Sequence, residues 1–127
     1  MREICVSNWG VAHLEGLRSA EKTQPYINQI ELNPWLQHRD IVEYCKRVGI
    51  IVEAWSPLTR GLRLEDPELK ALSKKYSQSP AQILIKWALQ SGFTPVPKSV
   101  TPERIKENFD VFNWELSKDD QIGRAHV

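Results

Sequence analysis

The feature that most constrains this chain is a regular alternation of short apolar segments with segments of helical period. "REICVSN" (2–8) reads as a strand, and "VAHLEGLRSAE" (11–21) places Val11, Leu14 and Leu17 at helical spacing. "YINQIEL" (26–32) is a second strand, stopped by Asn33-Pro34. "LQHRDIVEYCKRVG" (36–49) is a helix by its Ile41, Val42, Cys45 stripe, with Gly49 placed to end it in a left-handed conformation. "IIVEAW" (50–55) is a near-continuous apolar run of the kind that parallel sheets bury. Two helices follow with strong start signals: Asp66-Pro67 as N-cap and first turn, then Ser79-Pro80 with Gln82 as a capping box. "FTPVPK" (93–98) is the fourth strand, with its prolines expected at the strand ends, and Thr101-Pro102 opens a last helix over 102–109. Alternation at this spacing implies parallel strands joined by helical crossovers, hence an α/β fold. Four such units suit an open doubly wound sheet or half of an eight-stranded barrel.

Both architectures gather ligands at the carboxyl ends of the strands. Those ends carry Ser7-Asn8, Gln29 and Glu31, Trp55-Ser56, and Lys98-Ser99, so polar groups and one large aromatic share a rim. The stretch "TPVPKSVTPERIKENF" adds a second clue. Arg104 lies in the first turn of a helix, where the macrodipole disfavours a cation unless an anion sits between them. Lys98, Ser99 and the free N–H groups of that helix start would hold such an anion together with Arg104.

Composition narrows the classes. The 127 residues suit one domain, and 41% hydrophobic with 26% charged residues is ordinary for a globular protein. A net charge of +1 without long runs of one sign argues against nucleic acid or an anionic membrane as partner, and no apolar run reaches a membrane-spanning length. Cys5 and Cys45 stand far apart, and with only His13, His38 and His126 beside them they make no zinc motif. Reduced thiols in a cytoplasmic protein are expected, with Cys5 behaving as a small buried hydrophobe. Glu31 and Glu53 have no second acid nearby in their strands, so no acid–base pair is indicated.

The motifs "VSNW", "NQIELNPWLQ", "EAWSPLTRG", "SPAQILIKWAL" and "PKSVTPERIKENFDVF" occur in one order and spacing, and in them the chain resembles the carboxyl-terminal half of aldo-keto reductases. These are NADPH-dependent enzymes built on a (β/α)8 TIM barrel, and the resemblance covers residues 2–120. It implies four parallel strands with helical crossovers, NADP(H) as cofactor and a small carbonyl compound as substrate. It also implies site roles. Ser7, Asn8 and Gln29 would hydrogen-bond the nicotinamide carboxamide, and Trp55 would stack on the nicotinamide ring. The "SPLTRG" loop, with Ser56, Pro57, Leu58 and Arg60, would wrap the pyrophosphate. Lys98, Ser99, Val100, Thr101 and Arg104 would surround the 2′-phosphate, while Glu107 and Asn108 would face the adenine. Cys5 and Trp9 stand where the family often has Gly and Phe.

The family's catalytic tetrad of Asp, Tyr, Lys and His belongs to the first four strands, and Tyr26, Tyr44 and Tyr76 do not match its tyrosine. No catalytic residue is therefore expected in this chain. Trp35 and Trp87 are read as packing residues. Residues 121–127 are expected to be a non-native tail, because "IGRAHV" resembles a translated sequencing adapter. Two other functions fit the same residues: a non-catalytic NADP(H)-binding module of this fold, and a barrel lyase using Lys98 as a Schiff-base amine.

Overall fold

A computed structural model describes residues 1–20 and 23–121. The expected tail at 122–127 lies outside the described residues. Four strands, β1 (Cys5–Ser7), β2 (Ile27–Glu31), β3 (Ile51–Trp55) and β4 (Thr94–Val96), form one sheet in the order β1-β2-β3-β4. All three pairings are parallel. Helices α1 (Val11–Ser19), α2 (Arg39–Val48), α3 (Pro67–Tyr76), α4 (Pro80–Gln90) and α5 (Pro102–Phe109) alternate with the strands, with α3 and α4 together crossing from β3 to β4. Among the described residues no helix is long and apolar enough to cross a membrane.

Register and burial together divide the sheet into two faces. Val6, Asn28, Ile30, Val52 and Ala54 point into the helical layer, where Leu14, Tyr44, Cys45, Leu69, Ile83, Leu84 and Trp87 complete the core. Ile83, Leu84 and Trp87 are the buried α4 residues expected to pack. The alternate positions lie on the other face in matched rows: Cys5, Ile27 and Ile51, then Ser7, Gln29, Glu53 and Thr94, then Glu31, Trp55 and Val96. Such rows are what a closed barrel stacks in its interior. Cys5 is exposed on this face, which corrects the expectation of a buried thiol. A three-residue strand has too little alternation to show which side is covered.

Local signals decide most of the helix ends. Asp66 Oδ1 accepts from the N–H groups of Glu68 and Leu69 at 3.0 and 3.2 Å. Ser79 Oγ accepts from Gln82 N at 3.2 Å while Gln82 Oε1 accepts from Ser79 N at 2.9 Å, a reciprocal capping box. Gly49 ends α2 with φ +82°, a conformation strained for any residue with a Cβ.

Two boundaries and one cap differ from expectation. α2 starts at Arg39 rather than near 36, because Asn33 Oδ1 accepts from Trp35 N at 3.1 Å and Asn33 bridges Leu36, holding 33–36 in a tight turn. β4 is shorter than expected and has Pro95 at its centre, tolerated because β4 is an edge strand. Thr101 occupies the N-cap of α5 without a side-chain cap bond; Ser99 Oγ accepts from Thr101 N at 3.2 Å instead.

After α5 the chain runs irregularly across α4 and is held by side chains one turn apart. Gln82 Nε2 donates to the carbonyls of Glu107 and Asp110, both at 3.1 Å. Lys86 Nζ donates to Val111 O at 2.7 Å, and Gln90 exchanges two bonds with the backbone of Leu116 at 2.9 and 2.7 Å. The buried Lys86 ammonium also lies 5.7 Å from the Trp114 ring centroid.

Candidate functional site

The carboxyl ends of β3 and β4, the loop after β3 and the start of α5 enclose a cleft of about 680 Å³. Of the residues expected at the site, Ser56, Pro57, Leu58, Arg60, Lys98, Ser99, Val100, Thr101, Arg104, Glu107 and Asn108 all line it. Gly61, the last residue of the same expected loop, lines it as well, and so do Leu64, Glu65, Ser79, Pro80, Ala81 and Val96, which were not expected at the site. Ser79 was legible in the sequence only as a helix cap; its hydroxyl also donates to the Glu107 carboxylate across the cleft wall.

The backbone at this rim is strained. Asn8, Ser56, Thr59 and Arg60 have φ of 60°, 52°, 54° and 55°, within the left-handed region. Asn tolerates that region, but a β-branched Thr there is an outlier, and each such residue costs on the order of 1–3 kcal/mol. A 3-10 turn at Thr59–Gly61 carries two of the four. It is braced by Thr59 Oγ1, which donates to Leu58 O at 2.7 Å and accepts from Arg63 N at 3.1 Å. The loop thus turns sharply beneath the cleft. Ser56 Oγ is buried and has no hydrogen-bond partner. A buried hydroxyl without a partner is costly unless a ligand completes it.

Cations gather at the same place. Arg60, Lys98 and Arg104 line the cleft, and none forms an ion pair among the described residues. One exposed Arg without a carboxylate is ordinary; two arginines and a lysine around one cleft beside a helix N-terminus concentrate positive charge there, with Glu65 and Glu107 also on the lining.

The second group of expected residues sits on the adjoining strands. Trp55 Nε1 donates to Asn8 Oδ1 at 3.0 Å, which fixes the indole plane across the ends of β1 and β3. Ser7 Oγ donates to the Gln29 carbonyl at 3.0 Å. Gln29 Nε2 donates to the carboxylate of Glu53, its in-register neighbour on β3. These bonds leave Asn8 its amide N–H groups, and Ser7 and Gln29 their oxygen lone pairs. The set offers N–H donors at Asn8 and oxygen acceptors at Ser7 and Gln29. Glu53 has no role in the sequence reading, because the register that pairs it with Gln29 is a property of the sheet.

The remaining titratable groups lie elsewhere. Burial, followed by the Glu15 carboxylate that its hydroxyl contacts, raises Tyr44. Burial likewise raises the Cys45 thiol. Tyr76 donates to Asp120 Oδ2 at 2.5 Å. Tyr26 immediately precedes β2, at the opposite end of the sheet from the cleft. Among the described residues no His, Cys, Asp and Glu group could hold a metal.

Known proteins share this sequence and geometry. The family model described as "Aldo/keto reductase family" matches residues 1–124. The Bacillus subtilis oxidoreductase YtbE is 44% identical over 120 residues, covering 94% of this chain and 43% of that protein. The glyoxal reductase of the same organism is 42% identical over 120 residues, covering 94% of this chain and 44% of that protein. The chain therefore spans less than half the length of these curated relatives. Among solved structures, Gox0644 in its apo form superimposes with a TM-score of 0.91 at 42% identity, over 94% of this chain and 44% of that one. A Gox0644 variant in complex with NADPH gives 0.89 at 42% identity over the same shares. A Bombyx mori aldo-keto reductase in complex with NADP gives 0.86 at 37% identity, over 94% of this chain and 42% of that one. The four parallel strands and their helices match part of a TIM barrel in each, and the chain belongs to the aldo/keto reductase family.

Proposed function

We propose that residues 2–120 form the carboxyl-terminal four βα units of an NADPH-dependent reductase of aldehydes and ketones, and supply most of its cofactor contacts. The observation that carries this reading is the convergence of Arg60, Lys98 and Arg104, without ionic partners, on a cleft that also holds the unpartnered Ser56 hydroxyl. When bound, NADPH supplies the hydride for the carbonyl carbon. The side chains of this chain bind and orient. Lys98 contributes a point charge and Arg104 a planar fork to the 2′-phosphate, with the start of α5 behind them. The strained turn after β3 presents its backbone to the pyrophosphate. Trp55, held by Asn8, forms a flat surface for the nicotinamide ring, and Asn8, Ser7 and Gln29 meet the carboxamide with complementary donors and acceptors.

The test is the dissociation constant of NADPH and of NADH, for the unaltered protein and for Arg104→Ala. Hydrogen bonds to charged groups contribute roughly 1.5–3 kcal/mol each, so NADPH should bind about 10- to 150-fold more weakly in the variant. NADH lacks the 2′-phosphate and should lose less. An equal loss for both would defeat the phosphate reading.

A second reading, a nucleotide-binding module without catalysis of its own, fits the same residues: Tyr44 and Tyr76 do not line the cleft and are hydrogen-bonded to Glu15 and Asp120. General acid catalysis contributes typically 10²–10⁴-fold, so this chain alone should hold NADPH without reducing a panel of aldehydes. Turnover that follows the protein through purification would refute that.

A further inference from the structure

We propose that Glu53 is a positioning residue, which determines the end of the Gln29 side-chain amide that meets the nicotinamide carboxamide. The proposal rests on the reading of Gln29 as a carboxamide contact. Gln29 and Glu53 are register partners on adjacent parallel strands, on the same face of the sheet, and Gln29 Nε2 donates to Glu53 Oε1. An amide has a donor end and an acceptor end of nearly equal shape, and packing alone discriminates poorly between its two orientations. A carboxylate removes that ambiguity, because its oxygens only accept. Beside Glu53 the amide nitrogen must face β3, and Gln29 Oε1 is left to face the ligand. The neighbouring contacts have the same logic. Ser7 commits its only proton to the Gln29 carbonyl, and Asn8 commits its oxygen to Trp55. Of the three, Gln29 alone owes its polarity to a charged side chain. Glu53 thereby selects a ligand that brings an N–H donor to Gln29, and disfavours a ring bearing a bare carbonyl at that place.

The probe is an NADP⁺ analogue whose carboxamide is replaced by an acetyl group, 3-acetylpyridine adenine dinucleotide phosphate. It keeps the carbonyl and loses the N–H donors. Calorimetric titration of the 127-residue chain with NADP⁺, with the analogue and with adenosine 2′,5′-bisphosphate separates the two ends of the site. The unaltered chain should prefer NADP⁺ over the analogue by roughly 5- to 100-fold, the effect of two neutral hydrogen bonds, one to Gln29 and one to Ser7. Glu53→Gln, which allows the Gln29 amide to adopt either orientation, should reduce that preference by about 2- to 10-fold, leaving the part owed to Ser7, and leave the bisphosphate affinity unchanged. Gln29→Met should reduce it similarly, and adding Glu53→Gln to Gln29→Met should change nothing further, because Glu53 acts through Gln29.

Three results would overturn the proposal: a preference undiminished in Glu53→Gln, an effect of Glu53→Gln that persists in the Gln29→Met background, or a loss of bisphosphate binding in Glu53→Gln. The last would mean that Glu53 supports the fold instead. Absence of a preference in the unaltered chain, with bisphosphate binding intact, likewise refutes it. Failure of the unaltered chain to bind the bisphosphate would instead refute the phosphate-cleft reading beneath it.

Discussion

The two faces of the sheet are made by the same strands, residue by alternate residue, and they behave as different materials. On the helical side Ile30 and Ala54 are buried against α-helical side chains, and that side is finished. On the other side Ile51 is 40% exposed, Cys5 and Ser7 are open to solvent, and Gln29 and Glu53 are only half-buried. Parallel sheets are ordinarily covered on both faces. A covered face contributes stability through packing. An open face contributes little to this chain's own stability and is where the polar site residues stand. The strained, cation-lined rim belongs to the second category.

The largest expected effect sharpens that contrast. Ile30→Ala should cost about 2–5 kcal/mol in a denaturant melt, as for other large-to-small changes in a packed core. Ile51→Ala, on the open face, should cost only a fraction of that. Equal losses would show that both faces are packed in solution.

The open side also has edges. β1 and β4 each pair with one neighbour, and beside β4 the exposed Phe109 and Phe112 contact each other edge to face at 5.4 Å between centroids. We expect the chain to self-associate through these elements. Phe109→Ser combined with Phe112→Ser should weaken association by roughly tenfold in sedimentation velocity, about 1.4 kcal/mol, with little change in melting. A monodisperse monomer in the unaltered protein would break the comparison.

At the rim, Ser56→Gly removes both a positive φ on a residue with a Cβ and a buried hydroxyl without a partner. It should stabilise the chain by about 1 kcal/mol while weakening NADPH binding. Titration and melting on the same sample test both halves. Least of all, Asp120→Asn should change stability by less than any of these at pH 7. Hydrogen bonds from Lys75 and Tyr76 hold the Asp120 carboxyl down to about 2, against an ordinary 3.8. Its contribution is therefore complete above the ordinary value and disappears as pH falls through about 2. The difference between variant and parent in melts at pH 7 and at pH 2 should shrink accordingly.

Much of this was legible because it is local. Asp66, Ser79 with Gln82, and Gly49 end helices using atoms within a few residues, so their spacing is enough to place them. The parallel strands followed from alternation, the strand-end residues Ser56, Lys98 and Ser99 from which positions close each strand, and the rest of the cleft and the barrel arrangement from the family resemblance. Three things were not legible. Which side of β1 is covered depends on what packs there, so Cys5 was misplaced. The delayed start of α2 depends on Asn33 competing for the backbone. The partnership of Gln29 and Glu53, 24 residues apart, exists only once β2 and β3 are in register.

The three polar side chains of α4 have a consequence for how this protein can change. Loops usually absorb insertions, because their backbone bonds to water or to itself. Here Gln82, Lys86 and Gln90 recur every fourth residue, about 6 Å apart along the helix, and each grips a particular carbonyl between Glu107 and Leu116. The stretch is measured against the helix as against a ruler. One residue added between Val111 and Leu116 would leave either the Lys86 ammonium or the Gln90 amide without its carbonyl. This irregular stretch should therefore be as intolerant of length variation as a core strand, although nothing in its own sequence has the period of one.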